Sequence, residues 1–331
     1  MVVFQRGDNM FSIDDLKAAQ NLVYSQMQPT AQIHWPQLSK RTGARVIVKH
    51  ENHAPTGAFK VRGGITFIDW LQREHKDARG IITATRGNHG QSQARAATAA
   101  GLVAKIYVPK GNSVEKNAAM RAYGAEVIEF GDDFDEAKGE AMRVAQSEGL
   151  YVVPPFHTEL LRGVSTYPYE LMTAYPDLET IYVPIGCGSG ICSTIAVRDA
   201  LGLETKIVAV VSQKAQTAKL SVEAGRMVET NSADTFADGM AVRVPVQAAY
   251  DIYSRGVERF VTVSDAEVAS AIRAYFTDIH NLAEGAGAAA LAALMQESDR
   301  MQGKKVGLIL TGGNIDTSWF ARILAGETPE P

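Results

Sequence analysis

The chain has 331 residues, 46% of them hydrophobic, which is enough to bury a large core divided between two lobes. Its 33 Lys and Arg against 37 Asp and Glu leave a net charge of -4, with no basic excess of the kind nucleic acid demands. Two cysteines, Cys187 and Cys192, make neither a disulfide framework nor a zinc site, and no run approaches the roughly 18 apolar residues of a membrane span. Residues 1–10 carry Arg6 and Asp8 without a long apolar run, so no signal peptide is expected and a cytoplasmic location is.

Apolar runs of strand length alternate with helical periodicity along most of the chain. Strands are expected at 45–50, 80–84, 104–108, 125–130, 150–153, 180–184, 206–211, 259–263 and 305–310, and helices at 115–122, 135–148, 191–201, 265–276 and 285–295. Such alternation implies parallel sheets and an α/β fold. The units from 78 to 157 end at Pro154-Pro155 and form a compact group, read as a small lobe within a large one made of 1–77 and 158–331. A ligand site is expected between the lobes.

Four segments carry chemistry. In Pro55-Thr56-Gly57-Ala58-Phe59-Lys60-Val61-Arg62-Gly63-Gly64, Thr56 reads as the N-cap of a helix that starts at Gly57, which puts Lys60 in the first turn. The partial positive charge there favours a neutral amine, the nucleophilic form able to make a Schiff base. A lysine near a helix start is commonly a solvated side chain, and the other three segments argue against that here. Ile81 to Gly90 is strand, polar turn and helix start, with Asn88 and His89 as donors at a helix N-terminus. Val183 to Gly190 has the same form and aims backbone N–H groups at a phosphate. A dinucleotide site would want a third glycine where Ile191 stands and an acid after the next strand, which instead ends in Ser212-Gln213. Gly307 to Asn314 delivers the Thr311 hydroxyl at the carboxyl end of a buried strand.

The runs 56–64, 85–91, 186–190, 237–242, 284–288 and 311–314 together resemble the threonine dehydratase and serine racemase group of fold type II pyridoxal phosphate enzymes, over about residues 14–324. The resemblance implies two open parallel-sheet α/β lobes with the site between them, and Lys60 as the Schiff-base lysine. It implies that Phe59 packs on the cofactor ring and Asn88 bonds the ring's phenolic oxygen. Gly186, Cys187, Gly188, Ser189 and Gly190 would cradle the phosphate, and Thr311 would meet the pyridine nitrogen. Thr85, Asn88 and His89 would hold the substrate α-carboxylate. Gly239, in the Ala-Asp-Gly-Met-Ala-Val run, and Glu284 are counted beside the cofactor.

Departures from the pattern narrow the function. Racemising relatives place a serine hydroxyl where this chain has Arg86, and an always-protonated guanidinium cannot be the opposite-face base. Arg86 is instead suited to a carboxylate of the substrate. The run Val210 to Thr217 lacks the carboxylates of the cation-binding relatives, so no metal is expected. Gly163-Val164-Ser165-Thr166 has a serine in place of a glycine, which is expected to reshape the pocket. Arg143 falls near an arginine that in some relatives reaches the substrate on closure, and the alternative is a solvated helix face. His157 reads either as a pocket residue or as a loop histidine. The activity implied is a pyridoxal phosphate-dependent dehydratase that turns a small 3-hydroxy amino acid into a 2-oxo acid and ammonia, in a homodimer or higher homo-oligomer. The alternatives are β-replacement or racemisation on the same scaffold, or a regulatory protein that binds the cofactor or an amino acid without turnover.

Overall fold

A computed structural model describes residues 9–330, so most of the segment read for a signal peptide, 1–8, lies outside the described residues. Ten strands form two sheets: β1 (Gln32–His34), β2 (Arg45–His50), β3 (Gly80–Ala84), β4 (Val103–Val108), β5 (Glu126–Glu129), β6 (Tyr151–Val152), β7 (Thr180–Pro184), β8 (Lys206–Ser212), β9 (Arg259–Val263) and β10 (Lys305–Leu310). One sheet has the order β1-β2-β10-β7-β8-β9, the other β5-β4-β3-β6. Every pairing is parallel except β1 with β2. The edge strand β1 is the one strand not anticipated. Three residues are too few to show a period of two.

Helices fill the crossovers, as parallel pairing requires. Those that position the site are α1 (Ile13–Tyr24), α2 (Pro36–Thr42), α3 (Lys60–Glu74), α4 (Asn88–Ala99), α5 (Val114–Ala122), α6 (Phe134–Glu148), α7 (Thr158–Val164), α8 (Thr166–Ala174) and α9 (Ser189–Ala200). Apolar clusters cover both faces of each sheet. The helix Gly285–Gln296 is alanine-rich because it is buried on all sides from Gly285 to Leu294, with its alanines inside one of these clusters. The four-stranded sheet draws Phe67, Ile68 and Leu71 of α3 and Leu160 of α7 into its core, so Lys60's helix is seated on that sheet.

Close approach explains the glycines that follow Lys60. A Cβ on Gly63 would lie 2.7 Å from the Leu160 carbonyl oxygen, and one on Gly163 would lie 2.1 Å from that of Arg62. α3 and α7 therefore pack backbone to backbone. Gly163 to Thr166 serves this contact, with Thr166 Oγ1 accepting a bond from Arg62 at 2.9 Å. Among the described residues no helix is long and apolar enough to cross a membrane.

Candidate active site

The four chemical segments leave the carboxyl ends of β2, β3, β7 and β10, where ligands gather in open parallel sheets. β10 runs between β2 and β7, pairing Leu310 with His50 and Leu308 with Tyr182. That order brings the Lys60, phosphate and Thr311 loops together. Phe59 donates its backbone N–H to the Thr311 carbonyl at 3.0 Å, and Ala58 bridges to Gly312.

The sequence placed the start of Lys60's helix too early. Thr56 is buried but caps nothing, Gly57 turns at φ +68°, and the helix begins at Lys60 itself. A positive φ is cheap only for glycine, so the chain makes its bend there before it can enter the helix. Lys60 Nζ donates to Ser189 Oγ at 2.8 Å across the cleft. Burial pulls its pKa below the ordinary lysine value, while Cys187 and Glu284 act in the opposite direction. Phe59 stands beside it, edge-on to Tyr167 at 5.8 Å between ring centroids.

The loop 186–190 opens α9, with Gly188 at φ +99° just before the first helical residue. Gly186 has no room for a side chain, since a Cβ would lie 2.1 Å from the Gly239 carbonyl oxygen. Gly239 therefore supports this loop from the turn Asp238–Met240. Burial pushes the Cys187 thiol up, opposed by Lys60 and Lys138. Cys192 is buried in the core of the large sheet.

Asn88 is held on both sides of its amide. Its Nδ2 donates to Glu284 Oε1 at 2.7 Å, and its Oδ1 accepts from Asn314 Nδ2 at 2.7 Å. Asn314 also donates to the Thr56 carbonyl at 2.8 Å. The network fixes the amide orientation and leaves Asn88 one N–H free for a ligand. His89 Nε2 and Thr311 Oγ1 are buried without a partner among the described residues. Burial lowers the His89 imidazole to about 3, with Lys60 adding to the effect, so it is neutral at physiological pH. Thr85 Oγ1 accepts from the Gly87 N–H at 3.1 Å, shaping the turn. Arg86 is exposed and has no hydrogen bond or ion pair among the described residues.

Burial pushes the Glu284 carboxyl up to about 7 from an ordinary 4.5, against the pull of Lys116 and the Asn88 bond. A carboxyl raised in the folded state adds its full stability below its unfolded value and loses it as pH climbs through the folded one. The native state should therefore lose about 3 kcal/mol between pH 4.5 and 7 on this account. Glu284→Gln should remove that slope, measured by urea unfolding across the same window. Parallel stability profiles for the two proteins would contradict it.

Two candidate residues lie elsewhere. Arg143 pairs with Glu140 on the exposed face of α6, at 2.6 Å. His157 caps α7 through Nδ1, accepting from Glu159 N at 3.1 Å, and packs against Phe67 and Trp70. Neither converges with Lys60. Asn314, Lys116 and Asp238 also border the site and had no assigned role. Asn314 and Asp238 fall in motifs already singled out, 311–314 and 237–242, whereas nothing local marked Lys116. Among the described residues no group of three His, Cys, Asp or Glu is placed to hold a metal.

Residues 23–312 match the family model described as pyridoxal-phosphate dependent enzyme. The chain is 34% identical over 317 residues to an L-threonine ammonia-lyase of Thermotoga maritima, covering 95% of this chain and 78% of that one. Its fold superposes on the processed form of threonine deaminase isoform 2 from Solanum lycopersicum with a TM-score of 0.90, at 29% identity, covering 98% and 91% of the two chains. A pyridoxal 5'-phosphate-dependent aspartate racemase superposes with a TM-score of 0.88 at 26% identity, over 96% of this chain and 98% of that one. A match of this extent, on a cleft whose amine, glycine loop and free hydroxyl converge from separate strands, means that this chain belongs to the pyridoxal-phosphate-dependent enzyme family.

Proposed function

We propose that this protein deaminates a small 3-hydroxy amino acid by α,β-elimination, releasing a 2-oxo acid and ammonia. The observation that carries this reading is the Lys60 amine, directed at Ser189 of the loop 186–190, with the exposed guanidinium of Arg86, which cannot serve as a base, in the turn after β3. The residues fit pyridoxal phosphate. The start of α9 offers N–H groups to a phosphate, Thr311 has an unused buried hydroxyl at the carboxyl end of β10, and Asn88 retains one free donor. Lys60 would hold the cofactor through its amine.

Pyridoxal phosphate, when bound, supplies an electron sink for the substrate α-carbon. Lys60 Nζ, once released, takes the α-proton, and its lowered pKa makes the neutral form available for this. Thr311 would offer the ring nitrogen a neutral hydroxyl, which would not force a proton onto it. Thr85, Asn88 and His89 would hold the α-carboxylate at the start of α4. We take residues 78–157 as the small lobe, whose closure would exclude water.

Arg86 supports a preference within this class. Unpaired at the edge of the same turn, its guanidinium suits a second carboxylate, as in 3-hydroxyaspartate. Arg86→Ser should lower kcat/KM on 3-hydroxyaspartate by about 10- to 100-fold, and change serine and threonine turnover little. Equal losses on all three would assign Arg86 to the α-carboxylate. A 2-oxo acid assay across this panel tests the main reading as well. Brisk D-serine formation by the unmodified protein would contradict it.

A further inference from the structure

Lys116 is an anomaly in its own helix. It sits in the first turn of α5, where the helix dipole disfavours a cation, and it is only 8% exposed. Burying an ammonium is costly unless a partner compensates. The partner is Asp238, to which Lys116 Nζ donates. α5 packs on the four-stranded sheet, whereas Asp238 begins the turn Asp238–Met240 against the core of the six-stranded sheet.

Both ends of this pair touch the active site. The Lys116 stem lies under Gly87, where a Cβ would come within 2.9 Å of its Cδ, so it supports the turn that presents Asn88 and His89. The Asp238 turn carries Gly239, whose carbonyl oxygen lies against Gly186 of the phosphate loop. One ion pair thus connects the Thr85–His89 turn to the phosphate loop. The Asn88 bonds to Glu284 and Asn314 join the same turn to the large sheet by a second route, and further contacts between the two halves run from Ser113 to Asp316, from the Thr317 N–H to Glu115 at 2.9 Å, and from Arg243 to Asp135. The last pair is well exposed and contributes little.

We propose that Lys116 and Asp238 are positioning residues, a buried latch that locks the Thr85–His89 turn onto the phosphate loop whenever the lobes are closed. Opening the cleft returns both charges to water, and closing it removes them from water only as a pair. Closure is therefore favourable only in the register that joins them. The consequence for catalysis rests on the dehydratase reading, while the latch itself does not.

The test uses the full-length holoenzyme and the variants Lys116→Met, Asp238→Asn, their combination, and Lys116→Arg. Amide hydrogen exchange across residues 85–100 and 236–241 should quicken by about tenfold in both single variants, with no further gain in the double variant. The absorbance of the bound cofactor should stay unchanged. KM for serine should rise by about tenfold or more while kcat falls less, and Lys116→Arg should restore both exchange and KM. Parent-like exchange in Lys116→Met and Asp238→Asn, or effects that multiply in the double variant, would overturn the latch. If Lys116→Met does not fold, Asp238→Asn and Lys116→Arg decide the question by the same exchange measurement. A parent protein that deaminates no 3-hydroxy amino acid, yet shows the coupled exchange pattern, would overturn the dehydratase reading and leave the latch standing.

Discussion

Lys60→Ala should reduce turnover by about 10³-fold or more, since the role proposed for Lys60 combines the covalent hold on the cofactor with removal of the α-proton. Lys60→Arg, which keeps length and charge, should be no better, because a guanidinium neither attacks nor accepts a proton. The structure adds a spectroscopic expectation. The amine now hydrogen-bonded to Ser189 is the one that borohydride should fix to the cofactor in the parent protein. A label that maps to another lysine, such as Lys116, or full turnover by Lys60→Ala, would refute the assignment. Ser189→Ala, which removes the hydroxyl that accepts from Lys60, should weaken cofactor retention without eliminating the label.

The second large effect concerns stability. Glu170→Ala should destabilise the fold by about 3–5 kcal/mol, because it strips a carboxylate from two buried cations. Arg62 and Lys49 are fully buried and both pair with Glu170, while Arg62 also pairs with Glu51 at 2.8 Å. Burial alone would raise the Glu170 carboxyl, yet Arg62 and Lys49 outweigh it and hold the carboxyl below its ordinary value. Thr30 donates to Glu51 at 2.6 Å and Tyr24 to Glu170 at 2.9 Å, so the cluster has few unmet donors. Arg62 stands two residues after Lys60, and the cluster joins α3 to β2 and α8. Its loss should therefore loosen the seat of the catalytic lysine as well. Urea unfolding should show a lower midpoint with an unchanged slope, and Glu170→Gln should be milder. An unfolding free energy within about 0.5 kcal/mol of the parent would show that the cluster contributes little.

The sequence by itself determined the parallel α/β architecture, because nine strands and the main helices carry their signals locally. The alternation between strand runs and helical periodicity is visible in windows of about a dozen residues. The loops that carry Asn88, Ser189 and Thr311 were legible for the same reason, since each is a short turn directly after an apolar strand, whereas Lys60 follows β2 only after the segment 51–59. What the sequence blurred at short range was the bend at Gly57, whose positive φ postponed the helix to Lys60 despite a plausible cap at Thr56.

Partners were a matter for the tertiary structure alone. Asn88 meets Glu284 across 196 positions and Asn314 across 226, and Lys116 meets Asp238 across 122. Arg143 lies on α6, and it is the docking of that helix that leaves it paired with Glu140 on an exposed face, away from Lys60. Periodicity reports which residues share one face of one element. Which face then meets which loop depends on the strand order and on how two sheets close over a cleft, and these are set by the packing of the whole chain.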